Sequence, residues 1–365
     1  MSKIEIEDLE YVCSVEKIQW EKLRFKTIVV TGATGLIGST LIKALSFVSK
    51  KRNLNMSVIG IYRNEDKLNN VYKNFENDNI TFVKGDVLNF PNISENVDYI
   101  VHTANPTSSK FFVSHPVETI DTALNGTLNI LEFAKNKNIS SLVYLSTMEI
   151  YGVPSKGTKI NENQAGQFDS QKIRNCYPLS KQLSENLCNA FASEYGLNIK
   201  NIRLTQTFGP GVDYNDGRVF AEFARCAIEK KDIVLKTKGE TERSYLYTID
   251  AVVGILLVML NGEKGKSYNI ANEKTYCSIY DMAQIVAHMY EVNVVIEEQD
   301  ISKMGYADTL FMNLDTTRIK ELGWSAKYGL QEMFRRMITI MKEKKEESNL
   351  SLIHISEPTR HAQIS

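Results

Sequence analysis

At 365 residues, with 43% hydrophobic and 24% charged side chains, the chain carries enough apolar material for one large α/β body or two closely joined smaller ones. Its 43 basic and 44 acidic residues leave a formal net charge of -1, so no global field draws it to nucleic acid or to an anionic membrane. Cys13, Cys176, Cys188, Cys226 and Cys277 are scattered and lack the close spacing of a zinc site or redox motif. No metal is therefore expected, and a reducing, cytoplasmic setting fits.

Residues 1–25 begin MSKIEIEDLEYVCSVEK, acidic and amphipathic, without the basic and then apolar order of a secretory leader. They predict an external helix anchored by Trp20 and Leu23. From Thr27 to Leu204 short apolar runs alternate with longer helical stretches. Strands are predicted at Thr27–Val30, Ser57–Tyr62, Ile80–Val83, Asp98–His102, Leu142–Ser146 and Ile199–Leu204, several of them apolar throughout, as strands covered on both faces should be. The class is α/β, with a Rossmann-type doubly wound parallel sheet over residues 26–205.

Beyond Leu204 the rhythm shortens, broken by the turn-forming runs FGPGVDYNDG, TKGETERS and NGEKGKS. Residues 206–345 are expected to form a smaller C-terminal region, mainly for substrate binding. The apolar run Ala251–Leu260 is too short for a bilayer span, which takes about 20 residues, and reads as a buried helix. Residues 346–365 end in SLIHISEPTRHAQIS, which lacks periodicity and resembles translated sequencing-adapter DNA; they are set outside the native fold.

Three glycines follow the first strand directly, in Thr27-Ile-Val-Val-Thr-Gly32-Ala-Thr-Gly35-Leu36-Ile37-Gly38. Gly32 suits a tight turn, Gly35 the close approach of backbone to a pyrophosphate, and Gly38 the packing of helix on strand. The helix then beginning at Leu36 and Ile37 points free N–H groups at phosphates. This Gly-x-x-Gly-x-x-Gly spacing resembles the short-chain dehydrogenase/reductase families, especially their extended branch, and implies NAD or NADP. No carboxylate ends the second strand, where Arg63 stands instead; an arginine there accommodates the 2′-phosphate of NADP. The resemblance further implies that Asp86, followed by Val87, meets the adenine amino group, and that Ala104, in His102-Thr-Ala-Asn105-Pro, runs beneath the cofactor. His102 itself reads as a packed strand-end residue.

The resemblance sharpens at Ser146-Thr147-Met148-Glu149-Ile150-Tyr151-Gly152 and at Tyr177-Pro-Leu-Ser-Lys181, and covers about residues 26–340, including Asp315-Thr-Thr-Arg-Ile-Lys-Glu-Leu-Gly-Trp324. Helical spacing stacks Lys181 one turn from Tyr177, and an ammonium beside a phenol is expected to lower the phenol's pKa. Thr147, Tyr177 and Lys181 are implied as the machinery that oxidises a sugar 4-hydroxyl. Glu149 departs from the small or neutral residue of sugar epimerases. It matches the glutamate of nucleotide-sugar 4,6-dehydratases, where it removes the C5 proton, and of UDP-glucuronate decarboxylases. Met148 stands where dTDP-glucose-type dehydratases have an aspartic acid for the leaving hydroxyl, and Ala123 where the Asn-x-x-Gly-Thr motif has asparagine.

At the substrate end, Asn215-Asp-Gly-Arg218-Val resembles the nucleotide-binding loop of the decarboxylases, and Arg174 also has a counterpart there. Arg243 matches an arginine that grips a diphosphate or a carboxylate, and guanidinium forks suit either. The reading is a nucleotide-sugar lyase acting through transient C4 oxidation, by decarboxylation or 4,6-dehydration. A nucleotide-sugar 4-epimerase and a non-catalytic NAD(P)-binding protein remain as alternatives. Val117 to Ala134 and Tyr177 to Tyr195 match helices that form a dimer interface in the family, so a homodimer is expected.

Overall fold

Apolar, largely β-branched runs become the strands β1 (Thr27–Thr31), β2 (Ser57–Tyr62), β3 (Ile80–Lys84), β4 (Tyr99–His102) and β5 (Ser141–Thr147) of the computed structural model, which describes residues 1–75, 78–299 and 309–355. With Ile199–Leu204 and Ser267–Ile270 they build a seven-stranded sheet. Its order is Ser267–Ile270, Ile199–Leu204, β5, β4, β1, β2, β3. Every neighbouring pair is parallel. The chain winds outward from β1 to β3, then returns to β4 on the other side of β1. That reversal opens a crevice at the carboxyl ends of β1 and β4, where open α/β sheets hold their ligands.

The helices are α1 (Lys3–Ser14), α2 (Leu36–Arg52), α3 (Glu65–Tyr72), α4 (Ser109–Ser114), α5 (Pro116–Lys137), α6 (Cys176–Glu194), α7 (Val219–Glu229) and α8 (Thr248–Asn261), followed by Ile279–Tyr290, Thr317–Glu321 and a long last helix at Leu330–Ile355. Strand alternation divides the core. Ile28 and Val30 of β1 pack with Leu41 and Leu45 of α2 and Val252 and Leu256 of α8. Val29, between them, packs on the opposite face with Ile130 of α5 and Cys188 and Phe191 of α6.

Residues 206–345 do not stand apart. Ser267–Ile270 forms the edge of the main sheet, and α8 is buried at every position from Thr248 to Met259 because VVGILLVML has no polar face to turn to water. Other strands of that half join Lys159–Ile160 in a smaller mixed sheet ordered Asn272–Ser278, Glu242–Tyr247, Phe311–Leu314, Lys159–Ile160, with Gln206–Phe208 paired to Glu242–Tyr247, while Ile233–Leu235 and Val294–Ile296 pair separately.

At the N-terminus, Ser2 and Glu5 close a reciprocal cap on α1, and Trp20 and Leu23 are buried on a single 3₁₀ turn. Asp8 of α1 is buried too, accepting from the Tyr247 hydroxyl at 2.7 Å and from Arg336 Nη1 at 3.0 Å. The last helix continues through residue 355, so the first part of the 346–365 segment is helical; residues 356–365 lie outside the described residues. Among the described residues no helix is long and apolar enough to cross a membrane.

Candidate active site

The glycine loop leaves β1 and enters α2. Gly32 has φ +72°, a left-handed conformation, and a Cβ there would stand 2.7 Å from Thr103 Oγ1. A Cβ on Gly38 would come 2.3 Å from the Gly32 carbonyl oxygen, so this glycine lets α2 sit on the loop. Gly35 is the N-cap of α2 and makes no side-chain cap, which leaves the first-turn amides of Leu36, Ile37 and Gly38 for a ligand.

A cavity of about 1540 Å³ runs from this loop across the switch point to the far end of β5. It exceeds the roughly 300–1,000 Å³ of a single small-molecule site. Gly32, Gly35, Leu36, Ile37, Gly38, Arg63, Asp86, Val87, Ala104, Thr147, Glu149, Tyr177, Lys181 and Arg218 all line it. Arg63 and Asp86, assigned separate parts of the cofactor by the sequence, pair with each other, Arg63 Nη1 standing 3.2 Å from Asp86 Oδ2. His102 is enclosed by the Thr31 and Thr127 hydroxyls, and burial drives its pKa down to about 3, so it is a neutral packing residue.

At the other end β5 delivers Thr147, and the 3₁₀ turn Met148–Tyr151 follows, with Thr147 Oγ1 accepting from the Glu149 amide at 3.2 Å. Helix α6 presents Tyr177 and Lys181 from its first turns, both buried. The Tyr177 ring stacks on Phe112 of α4 with centroids 4.1 Å apart. Arg174, on a turn just before α6, places Nη2 2.9 Å from Glu149 Oε2 and its guanidinium 4.9 Å from the Phe112 ring centre.

The electrostatics differ from the sequence expectation. Burial raises the Tyr177 phenol, and the nearby Glu149 raises it further; the Thr147 hydrogen bond and the cations Arg174 and Arg218 oppose this. Lys181 does not turn its ammonium to Tyr177. Its Nζ donates to Tyr144 Oη at 3.0 Å and to the Leu145 carbonyl at 2.6 Å, and burial lowers its pKa to about 7. The expected depression of the phenol assumed a solvent-like site; desolvation outweighs it here.

Met148 is buried, its sulfur accepting from Thr205 Oγ1 at 3.3 Å, and provides no proton donor. Arg218 is held by Asp216 at 2.6 Å and lies over Phe220. Arg243 and Arg174 sit just behind the cavity wall. Arg243 Nη1 is 3.4 Å from Gln206, which lines the cavity, while the Nε atoms of both arginines are buried without partners. Ala123 is buried, its carbonyl accepting from Ser184 Oγ at 2.8 Å.

Residues 28–271 match the NAD dependent epimerase/dehydratase family. The chain belongs to that family. A UDP-glucuronic acid decarboxylase 1 of Arabidopsis thaliana is 30% identical over 319 residues, 87% of this chain and 70% of that protein. In fold the chain is similar to dTDP-glucose 4,6-dehydratase from Bacillus anthracis in complex with NAD (TM-score 0.72, 21% identity, covering 88% of this chain and 98% of that one). It is also similar to UDP-glucuronic acid 4-epimerase from Bacillus cereus in complex with UDP-glucuronic acid and NAD (TM-score 0.72, 20% identity, 87% and 99%).

The site fits the dinucleotide the family is named for. Besides the uncapped α2 and the cramped glycines, Asn105 and Ser146 line the cavity with buried side-chain polar atoms that have no protein partner. The sequence reading missed Phe112 because SKFFVSHP, a short piece between β4 and α5, has no periodicity that marks an aromatic platform. It missed Tyr144 because one aromatic in an apolar strand reads as core.

Proposed function

We propose that this protein is a nucleotide-sugar lyase that oxidises its sugar at C4 with bound NAD(P) and releases carbon dioxide from a hexuronate, as a UDP-glucuronate decarboxylase does. The observation that carries this reading is the Glu149–Arg174 pair, which borders Tyr177 where a dTDP-glucose-type dehydratase also has an aspartic acid for its leaving hydroxyl; the residue before Glu149 is the buried Met148. Decarboxylation needs no such acid.

Gly32, Gly35, Gly38, Leu36 and Ile37 would hold the pyrophosphate, Asp86 and Val87 the adenine end, and Ala104 with Asn105 the segment beneath the ring. A nicotinamide held there would supply the acceptor for the hydride leaving the sugar's C4 and the donor for its return. Tyr177, acting as its phenolate, takes the C4 hydroxyl proton, with Thr147 hydrogen-bonding the same oxygen and Lys181 supplying positive charge from its place on Tyr144 and the Leu145 carbonyl. The resulting 4-ketone lies β to the C6 carboxylate, so the C5–C6 bond breaks with its electrons delocalised into the ketone, and C5 is then protonated. A substrate carboxylate beside Glu149 would stand next to a like charge that Arg174 offsets, and decarboxylation moves that charge onto the C4 oxygen as neutral carbon dioxide leaves. Arg218 and Arg243 suit the diphosphate.

Arg63 supports NADP over NAD, since its guanidinium is 73% exposed and can turn from Asp86 to a 2′-phosphate. A homodimer through α5 and α6 is part of the same reading. The deciding experiment incubates the purified chain with UDP-glucuronate and other nucleotide-sugars and follows products by NMR. A UDP-pentose or 4-ketopentose with carbon dioxide is expected. A 4-keto-6-deoxy sugar would make it a dehydratase, and a C4 epimer would overturn the lyase assignment.

A further inference from the structure

We propose that Tyr144 is a positioning residue for Lys181, its phenol oxygen fixing the ammonium against β5 at the floor of the cavity. Tyr144 is fully buried, and β-strand register sets it beside His102 of β4, ring centres 5.6 Å apart. Lys181 Nζ is 3.0 Å from the Tyr144 oxygen, 2.6 Å from the Leu145 carbonyl and 4.4 Å from the Tyr144 ring centre. An ammonium has three hydrogens, so these two acceptors take two and direct the third elsewhere. A lysine on a flexible four-carbon stem is thereby held at one point.

The groups facing Lys181 explain why a neutral acceptor matters. On its own helix stand Tyr177, Glu185 and Cys188; across from it are Tyr144 on β5 and His102 on β4. His102 is neutral, and burial raises the Cys188 thiol out of its ionising range. Glu185 is the anion among them, yet its carboxylate is gripped by Arg203 through Nε at 3.2 Å and Nη2 at 2.7 Å. With Glu185 committed, the phenol of Tyr144 and the Leu145 carbonyl take the ammonium directly. Phenylalanine would fill the same space and keep the ring under the charge, so the hydroxyl is the part with this task.

The inference builds on the reading of Lys181 as part of the oxidation machinery, but its test does not depend on turnover. Lys181 is 2% exposed, so its protonation is read without a reagent that must reach it. NMR of the protein carrying isotope-labelled lysine, with the Lys181 signal assigned from its absence in Lys181→Arg, gives across pH the half-point for its conversion to free amine. A hydrogen-bond acceptor favours the charged form, so Tyr144→Phe should lower that half-point by about half a unit or more. Tyr245→Phe, which removes another buried hydroxyl, should leave it unchanged.

An unchanged half-point in Tyr144→Phe overturns the proposal. Should that variant not fold, 3-fluorotyrosine placed at position 144 weakens the acceptor with the ring retained, and the same downward shift, or its absence, decides. The alkaline limb of the pH–rate profile should follow that half-point. If the half-point shifts and that limb stays in place, Tyr144 still positions Lys181, and it is the redox role given to Lys181 that fails.

Discussion

Arg174 lies across the carboxylate of Glu149 at 2.9 Å while its guanidinium rests 4.9 Å from the Phe112 ring that carries Tyr177. One cation thus touches both the carboxylate implied in lyase chemistry and the platform beneath the phenol. Glu149→Gln should lower kcat on the accepted nucleotide-sugar by roughly 10²-fold or more with little change in KM. Arg174→Ala, which also strips the platform, should raise KM as well. Steady-state kinetics on both variants checks this; full kcat in Glu149→Gln would remove the carboxylate from the chemistry.

Gly38 is the most confined glycine of the loop, its missing Cβ lying 2.3 Å from the Gly32 oxygen and 3.1 Å from Thr103 Oγ1. The nearest obstruction is backbone, which cannot rotate away. Gly38→Ala should therefore cost about 1–3 kcal/mol and weaken dinucleotide binding by lifting α2 off the loop. Gly329→Ala, with nothing within 4 Å, is the matched control. Thermal melting and a fluorescence titration with NADH and NADPH read both effects, and wild-type binding in Gly38→Ala would count against a ligand at this loop.

Asp250 on α8 accepts from the Lys327 and Tyr328 amides through Oδ2, while Oδ1 is buried without a partner. Burial raises its pKa from 3.8 to about 7 despite those amides. An acid harder to ionise when folded holds its proton longer in the native state, so its contribution to stability falls as pH rises from about 4 to 7. Asparagine can accept the same amides and carries no charge. Asp250→Asn should match wild type near pH 4 and be more stable at pH 8, by roughly 1–3 kcal/mol. Denaturant unfolding at the two pH values tests this, and equal stability at both would show that Asp250 is not strained by its burial.

Helix α5 exposes Val117, Ile120 and Leu128, and α6 exposes Leu183, on the side of these helices turned away from the sheet. A second copy packed through the same face would cover these apolar side chains, which stand at 72%, 39%, 37% and 52% exposure. Light scattering should give twice the chain mass, and Ile120→Glu with Leu183→Glu should return the monomer value. A wild-type monomer would reject the dimer.

The parallel sheet was legible because apolar runs separated by helical periods admit few other arrangements, and the glycine loop because it sits between a strand and a helix. Tyr177 and Lys181 were legible as a pair through helical spacing. The edge strand Ser267–Ile270 was not, since SYNI carries no more β signal than the loops around it and acquires its role by pairing with Ile199–Leu204. The pairing of Arg63 with Asp86 was equally hidden, because β2 and β3 become neighbours only when the sheet forms.

By itself the sequence determined which side chains share a face: the glycines at the head of α2, Thr147 at the end of β5, and Tyr177 with Lys181 one turn apart. These follow from backbone geometry, whose periods are the same in any fold. Only the tertiary structure decided what each side chain meets there, bringing Arg174 to Glu149 across 25 positions and Lys181 to Tyr144 across 37. The physical reason is that partner choice and loss of solvent belong to packing between elements. They, rather than spacing along the chain, raise the Tyr177 phenol and lower the Lys181 ammonium to about 7.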